Sequence, residues 1–127
     1  MTATESASAR FAGIDDWSTL DLVDGMVESQ FGAVAAVRAA RDDLARAVDA
    51  MADRLGRGGR IIYMGAGTSG RVGAQDGAEL PPTFSWPYER AVSLMAGGAG
   101  ALQRAVENAE DNREAAVADL DALQLTG

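Results

Sequence analysis

One stretch constrains the fold of this chain more than any other. Ile61-Ile62-Tyr63-Met64 is a short apolar run, followed at once by Gly65-Ala66-Gly67-Thr68-Ser69-Gly70 and then by Arg71-Val72-Gly73-Ala74-Gln75-Asp76. The order predicts a buried strand, a glycine-rich turn and a helix start. Backbone N–H groups at a helix N-terminus are unpaired and the helix dipole favours negative charge there, so the turn is a candidate anion pocket. Its glycines allow positive φ and close backbone approach.

The remaining pattern alternates. Ala91 to Ala96 is a second apolar run and a predicted strand, after which Gly97-Gly98-Ala99-Gly100 turns into a helix expected over about 99–108, with Leu102, Ala105 and Val106 inward. A last helix is expected over about 113–123, with Ala116, Val117, Leu120 and Leu123 as its stripe. Strands alternating with helices predict a parallel α/β sheet with right-handed crossovers. Two strands are few for such a sheet, which predicts either a larger domain or surface borrowed from a partner.

Upstream the signals are helical. Ser18-Thr19-Leu20-Asp21 is an N-cap followed by an acid, with Trp17 placed to pack back on the helix. Leu20, Val23 and Val27 share a face, and Gly25 predicts that this helix is short. Val34, Val37, Leu44, Val48, Met51 and Leu55 form the stripe of a second helix that ends at Gly56, a stripe that could be core or a subunit contact, with core the expectation. From about 69 the glycine turn leads into a helix expected to stop near 77, because Pro81-Pro82 opposes continuation. Glu79-Leu80 would then lie at the helix exit.

Composition narrows the chemistry. The chain holds 127 residues, room for one modest domain, and its 47% apolar content predicts a globular protein. Its net charge of −8 opposes a general nucleic-acid surface, and its 11 basic residues are all Arg. Without Cys, His or Lys there is no thiolate, imidazole or amine nucleophile and no Cys- or His-based metal site. Carboxylates must carry any acid–base chemistry. No targeting segment or membrane-length apolar run is visible in the sequence, so a cytoplasmic location, with no membrane or nucleic-acid partner, is the default expectation.

Gly65 to Gly70 also spells the G-x-G-x-x-G of dinucleotide sites, but the second strand ends Ser93-Leu94-Met95-Ala96-Gly97, without the acid that holds the ribose. Hydroxyls at Thr68 and Ser69 suit a terminal phosphate monoester instead, although the same residues could merely cap the following helix. Two acids, Glu79 and Glu110, lie on segments able to reach the carboxyl ends of the strands, where ligands of open α/β sheets collect. Spacing alone does not select them from the 19 acidic residues.

Family motifs do. Gly58 to Arg71 resembles the first sugar-isomerase (SIS) motif of bacterial N-acetylmuramic acid 6-phosphate etherases. Glu79-Leu80-Pro81-Pro82-Thr83-Phe84 is similar to that family's D-A-S-E-C-P-P-T-F segment, Met95-Ala96-Gly97-Gly98 to its I-A-G-G turn, and Val106-Glu107-Asn108-Ala109-Glu110-Asp111 to its V-E-G-A-E-D. Trp17-Ser18-Thr19-Leu20-Asp21 resembles its L-S-T-L-E opening.

The resemblance implies a partial SIS-type, flavodoxin-like parallel sheet with flanking helices, preceded by an N-terminal helical segment. It divides the chain into a flexible arm (1–13), N-terminal helices (14–57) and the first part of a SIS-type domain (58–127). It also implies loss of D-lactate from N-acetylmuramic acid 6-phosphate in cell-wall sugar recycling, by elimination and hydration, without metal or organic cofactor. Glu79 would be the acid that assists lactate departure, which requires a raised pKa. Glu110 would be the base at C2. Gly67, Thr68, Ser69 and Gly70 would hold the phosphate, with Glu107 a further substrate contact and a homodimer the expected assembly. The family pattern continues past Gly127 with a second phosphate loop, so this chain alone is expected to be an inactive N-terminal portion. Ala78, Leu80, Gln75, Gly77 and Asn108 stand where the family usually has Ser, Cys, Leu, Ala and Gly. The alternatives are a phosphosugar-sensing regulator of the glucokinase-regulatory-protein type and a phosphosugar isomerase.

Overall fold

The computed structural model describes residues 7–56 and 58–125. The chain divides into two compact units, Met1–Met51 and Ala52–Gly127.

The first unit is helical. Of the arm expected over 1–13, residues 1–6 lie outside the described residues, and Ala9–Phe11 form a 3-10 turn started by Ser8, whose hydroxyl accepts from the Arg10 N–H. Helix α1 runs Thr19–Ala39, with Ser18 as its N-cap: the Ser18 hydroxyl accepts from the Asp21 N–H at 3.2 Å. The expectation of a short helix at Gly25 is corrected. Gly25 is buried, and a Cβ there would lie 3.1 Å from the Trp17 ring and 3.5 Å from Phe11. The missing side chain makes room for two aromatics, and their packing outweighs the roughly 1 kcal/mol that a mid-helix glycine costs. Arg10 lies over both rings and pairs with Glu28 at 2.6 Å.

Helix α2 spans Arg41–Leu55, so Val34 and Val37 belong to α1 and not to the second helix as expected. The break at Ala40 (φ −86°, ψ 5°) is followed by Asp42 and Asp43, acids that suit the positive end of a new helix. The expectation that the stripe is core is corrected too: Val34, Val37, Leu44, Val48 and Met51 are all exposed.

The second unit is mixed α/β. Strand β1 (Ile61–Gly65) pairs in parallel with β2 (Ala91–Met95), in register from Ile61 opposite Ala91 to Gly65 opposite Met95. Helix α3 (Gly67–Phe84) is the crossover and packs on both strands. Successive strand residues face opposite sides. Tyr63 and Met95 therefore meet α3, whereas Met64 and Leu94 line a cavity shared with Ala115 and Ala116 of α4 (Arg113–Ala122). Asn112 caps α4 through its side-chain oxygen, which accepts from Ala115 N–H at 2.9 Å. Among the described residues the buried apolar side chains are Met95, 7% exposed, and Ala101, 2% exposed.

Two expectations fail in this unit. Helix α3 does not stop near residue 77 but continues through Pro81 and Pro82 to Phe84, where Ser85 at φ 51° ends it. Both prolines sit in the last two turns, so few hydrogen bonds are lost, and Pro81 is buried. The helix expected over 99–108 is only a 3-10 turn, Ala99–Leu102, followed by irregular chain up to Asn112. Its expected inward residues, Leu102, Ala105 and Val106, are all exposed, and Ala101, which is not among them, is buried.

Arg90 secures the approach to β1. It donates to the carbonyls of Gly59 at 2.6 Å, Leu55 at 3.3 Å and Gly56 at 3.4 Å, and stacks 4.5 Å from the Trp86 ring centroid. Carbonyls at and just past the last helical turn thereby meet a cation, the Leu55 carbonyl in addition to the Gly59 N–H it already accepts.

Candidate functional site

The site begins with the three glycines of the turn, each with a different physical task. A Cβ on Gly65 would lie 2.8 Å from the Gly70 Cα, and one on Gly70 would lie 2.5 Å from the Met95 sulfur and 2.6 Å from the Gly65 carbonyl oxygen. Strand end and helix start touch backbone to backbone, a distance only glycine permits. Gly67 has φ 52°, the left-handed conformation that turns the chain into α3.

Ala66, the N-cap, has no side-chain oxygen to offer, and the Gly70 N–H bonds to Ala66 C=O at 3.1 Å. The N–H groups of Gly67, Thr68 and Ser69 precede that bond at the start of the helix and are the groups that can meet an anion. Gly70 contributes packing and not a donor, since its amide is already used.

A cavity of about 230 Å³ lies against this turn, at the carboxyl ends of both strands. Gly67, Thr68, Arg71, Met95, Glu107 and Glu110 are among the residues that line it. A larger one, of about 440 Å³, shares Glu107 and Glu110 and extends past Met64, Leu94 and Asp119. The fold thus brings Gly67, Thr68, Glu107 and Glu110 together.

Ser69 stays on the exposed outer side of the first turn and does not line either cavity. Glu79 is not brought in. It lies exposed within α3, 12 residues beyond Gly67 and so roughly 18 Å further along the helix axis. It is on the helix proper, not at an exit loop as expected.

The carrier of the two cavity acids is shaped by backbone geometry. Val106 packs on Gly97, whose own Cβ would meet the Val106 Cβ at 2.9 Å. Asn108, between the acids, has φ 58°, the left-handed region that Asn tolerates better than most residues. Arg71 was not anticipated as a site residue. It is half-buried, lines the smaller cavity as the one cation among its lining residues, and donates from Nε to the Leu102 carbonyl at 3.2 Å. Its place one turn into the helix, directly after the glycine motif, was the available signal.

No group of three or more His, Cys, Asp and Glu is placed to hold a metal ion among the described residues. No helix among them is long and apolar enough to cross a membrane.

Known proteins share this pattern. The family model of the glucokinase regulatory protein N-terminal SIS domain matches residues 43–126. The chain belongs to the SIS domain family. It is 47% identical over 122 residues, 96% of this chain, to the N-acetylmuramic acid 6-phosphate etherase of Deinococcus radiodurans. Identity is 50% over 122 residues to the Salmonella agona protein of that name and 48% over 123 residues to that of Vibrio vulnificus, covering 96% and 97% of the chain. The chain spans 40% to 41% of the length of these relatives. The resemblance drawn from the sequence motifs is therefore borne out, and the two-stranded parallel sheet flanked by helices agrees with a partial SIS fold.

Proposed function

We propose that this SIS domain chain forms part of the phosphosugar site of an N-acetylmuramic acid 6-phosphate etherase. The observation that carries the reading is the shared cavity: Glu107 and Glu110 line the same space as the Gly67–Thr68 turn and Arg71. Identity of 47% to 50% to proteins of that name supports it.

In this reading the substrate phosphate sits on the N–H groups of Gly67, Thr68 and Ser69 at the helix start and on the Thr68 hydroxyl. The open-chain aldehyde makes the C2 proton acidic, and the Glu110 carboxylate removes it. The C3–oxygen bond breaks, and D-lactate leaves as its oxygen takes a proton from Glu79. Water then adds across C2 and C3 to give N-acetylglucosamine 6-phosphate. Glu107 contacts the sugar. Carboxylates and water complete every proton transfer, so neither a metal nor an organic cofactor is called for. The reaction belongs to cytoplasmic recycling of cell-wall sugars.

The exposed position of Glu79 gives the reading a further part. An acid that is protonated at neutral pH needs burial or a neighbouring acid. A homodimer supplies both if the α3 of a second copy brings its Glu79 to the Glu110 cavity.

The test is a chimera in which the matching 122-residue part of the Deinococcus radiodurans relative is replaced by this chain. Release of D-lactate from N-acetylmuramic acid 6-phosphate is expected. Binding of the phosphosugar without any lactate would favour a second reading, a phosphosugar-sensing regulator, to which the match with the glucokinase regulatory protein domain model points.

A further inference from the structure

We infer that Arg71 is a positioning residue, which holds the segment bearing Glu107 and Glu110 over the Gly67–Thr68 turn; its catalytic meaning rests on the phosphosugar reading above. Arg71 is rigidly placed, because it belongs to the same helix start as the turn itself. Its Nε–H donates to the carbonyl of Leu102, the last residue of the 3-10 turn that follows β2. Beyond Leu102 no regular element forms until Arg113. Glu107 and Glu110 therefore ride on chain with little backbone hydrogen bonding of its own: Gln103 and Arg104 N–H to Gly100 C=O, Asn112 N–H to Ala109 C=O at 3.5 Å, and Arg113 N–H to Asp111 C=O at 3.0 Å.

This chain is also held from outside. Val106 packs on Gly97 at its base, and Arg71 ties its start to α3. Among the described residues, the Arg71–Leu102 bond is the one side-chain hydrogen bond between α3 and the stretch 99–112. Arg71 makes no ion pair with Glu107 or Glu110 there. Its link to the acids is thus mechanical, through a backbone carbonyl, and not a direct charge pair. A planar guanidinium holds an acceptor in a defined direction, which a lysine ammonium on a flexible stem does not.

The experiment compares wild type, Arg71→Ala and Arg71→Lys in two measurements. The first is amide hydrogen exchange of this chain. Exchange at Gln103, Arg104 and Asn112 is expected to quicken about tenfold in both variants, while the β1–β2 ladder amides keep their protection and so report an intact fold. Unchanged exchange overturns the tether. The second is turnover in the chimera with the Deinococcus radiodurans relative. C2-proton exchange is expected to lose about tenfold in kcat with KM within about twofold, since the base is misplaced and the phosphate turn is intact. A loss confined to KM and rescued by Arg71→Lys overturns the inference, making Arg71 a direct ligand of the anion. A wild-type chimera that binds no phosphosugar and releases no lactate defeats the functional reading instead, and amide exchange then decides the tether alone.

Discussion

The hydroxyl of Tyr63 on β1 donates to the carboxylate of Asp76 on α3 at 2.6 Å. The bond closes a packing arrangement in which Gly73 and Gly77 leave room for the phenol ring, 3.1 Å to 3.5 Å from where their Cβ atoms would stand. Burial, then the hydrogen bond and charge of Asp76, push the phenol pKa from 10.0 up to about 12. The folded state therefore holds the proton more tightly than the unfolded chain. The associated stability is fully present below the unfolded value and is lost as pH rises through the folded one. Urea unfolding should show stability falling from pH 10.0 to about 12, and Tyr63→Phe should lack that component. An equal slope in both proteins contradicts the assignment.

Gly70 and Gly73 lie one turn apart in α3 yet should respond oppositely to alanine. A Cβ at Gly70 meets the backbone oxygen of Gly65 at 2.6 Å, whereas at Gly73 the nearest atom is 3.4 Å away. Gly70→Ala should cost about 1–3 kcal/mol, the usual range for overpacking. Gly73→Ala should be neutral or stabilise by up to about 1 kcal/mol through helix propensity. Thermal melts of the two variants decide it.

Asn108 stands where the resembling family has Gly, and its φ of 58° supplies the reason. Asn108→Gly should leave stability within about 0.5 kcal/mol, since glycine adopts that conformation freely but loses more chain entropy on folding. Asn108→Val should cost about 1–2 kcal/mol, because a β-branched residue crowds the backbone there. Chemical denaturation of both variants, with matched m-values, is the check.

The proposed roles of the two acids separate kinetically. In the chimera, Glu110→Gln should abolish solvent exchange of the C2 proton, and Glu79→Gln should slow lactate release more than exchange. Identical losses in both variants would sink the role assignment. Mixing the two inactive variants tests the second-copy placement of Glu79. Recovered activity is expected if one protomer's Glu79 serves its partner's Glu110, and none if both acids act within one chain.

Much of the architecture was legible because it follows from local rules. The Ile61–Met64 run, the Gly65–Gly70 turn and the helix after it came from period and from glycine sterics, which act over a few residues. Ser18 as a cap was readable for the same reason: one side chain beside its own helix start. The misreadings share the opposite property. Gly25 and Pro81-Pro82 look like helix breakers in isolation, but burial of Gly25 against Trp17 and Phe11, and of Pro81 in the second unit, outweighs their local cost.

The site divides along the same line. By itself the sequence determined the strand, glycine turn and helix start and, through its motifs, the family, because a strand, three glycines and a helix start form one local steric unit. Tertiary structure decided which of the acids named by the motifs share that turn: Glu107 and Glu110 line the cavity beside it, and Glu79 does not. The stretch after Leu102 stays irregular, held by Arg71 and by Val106 on Gly97, and this delivers Glu107 and Glu110 to the cavity. A continuous α3 carries Glu79 roughly 18 Å along the helix axis from Gly67. Sequence spacing counts residues, but a helix advances 1.5 Å per residue in a fixed direction, and only the packed fold sets where that direction leads.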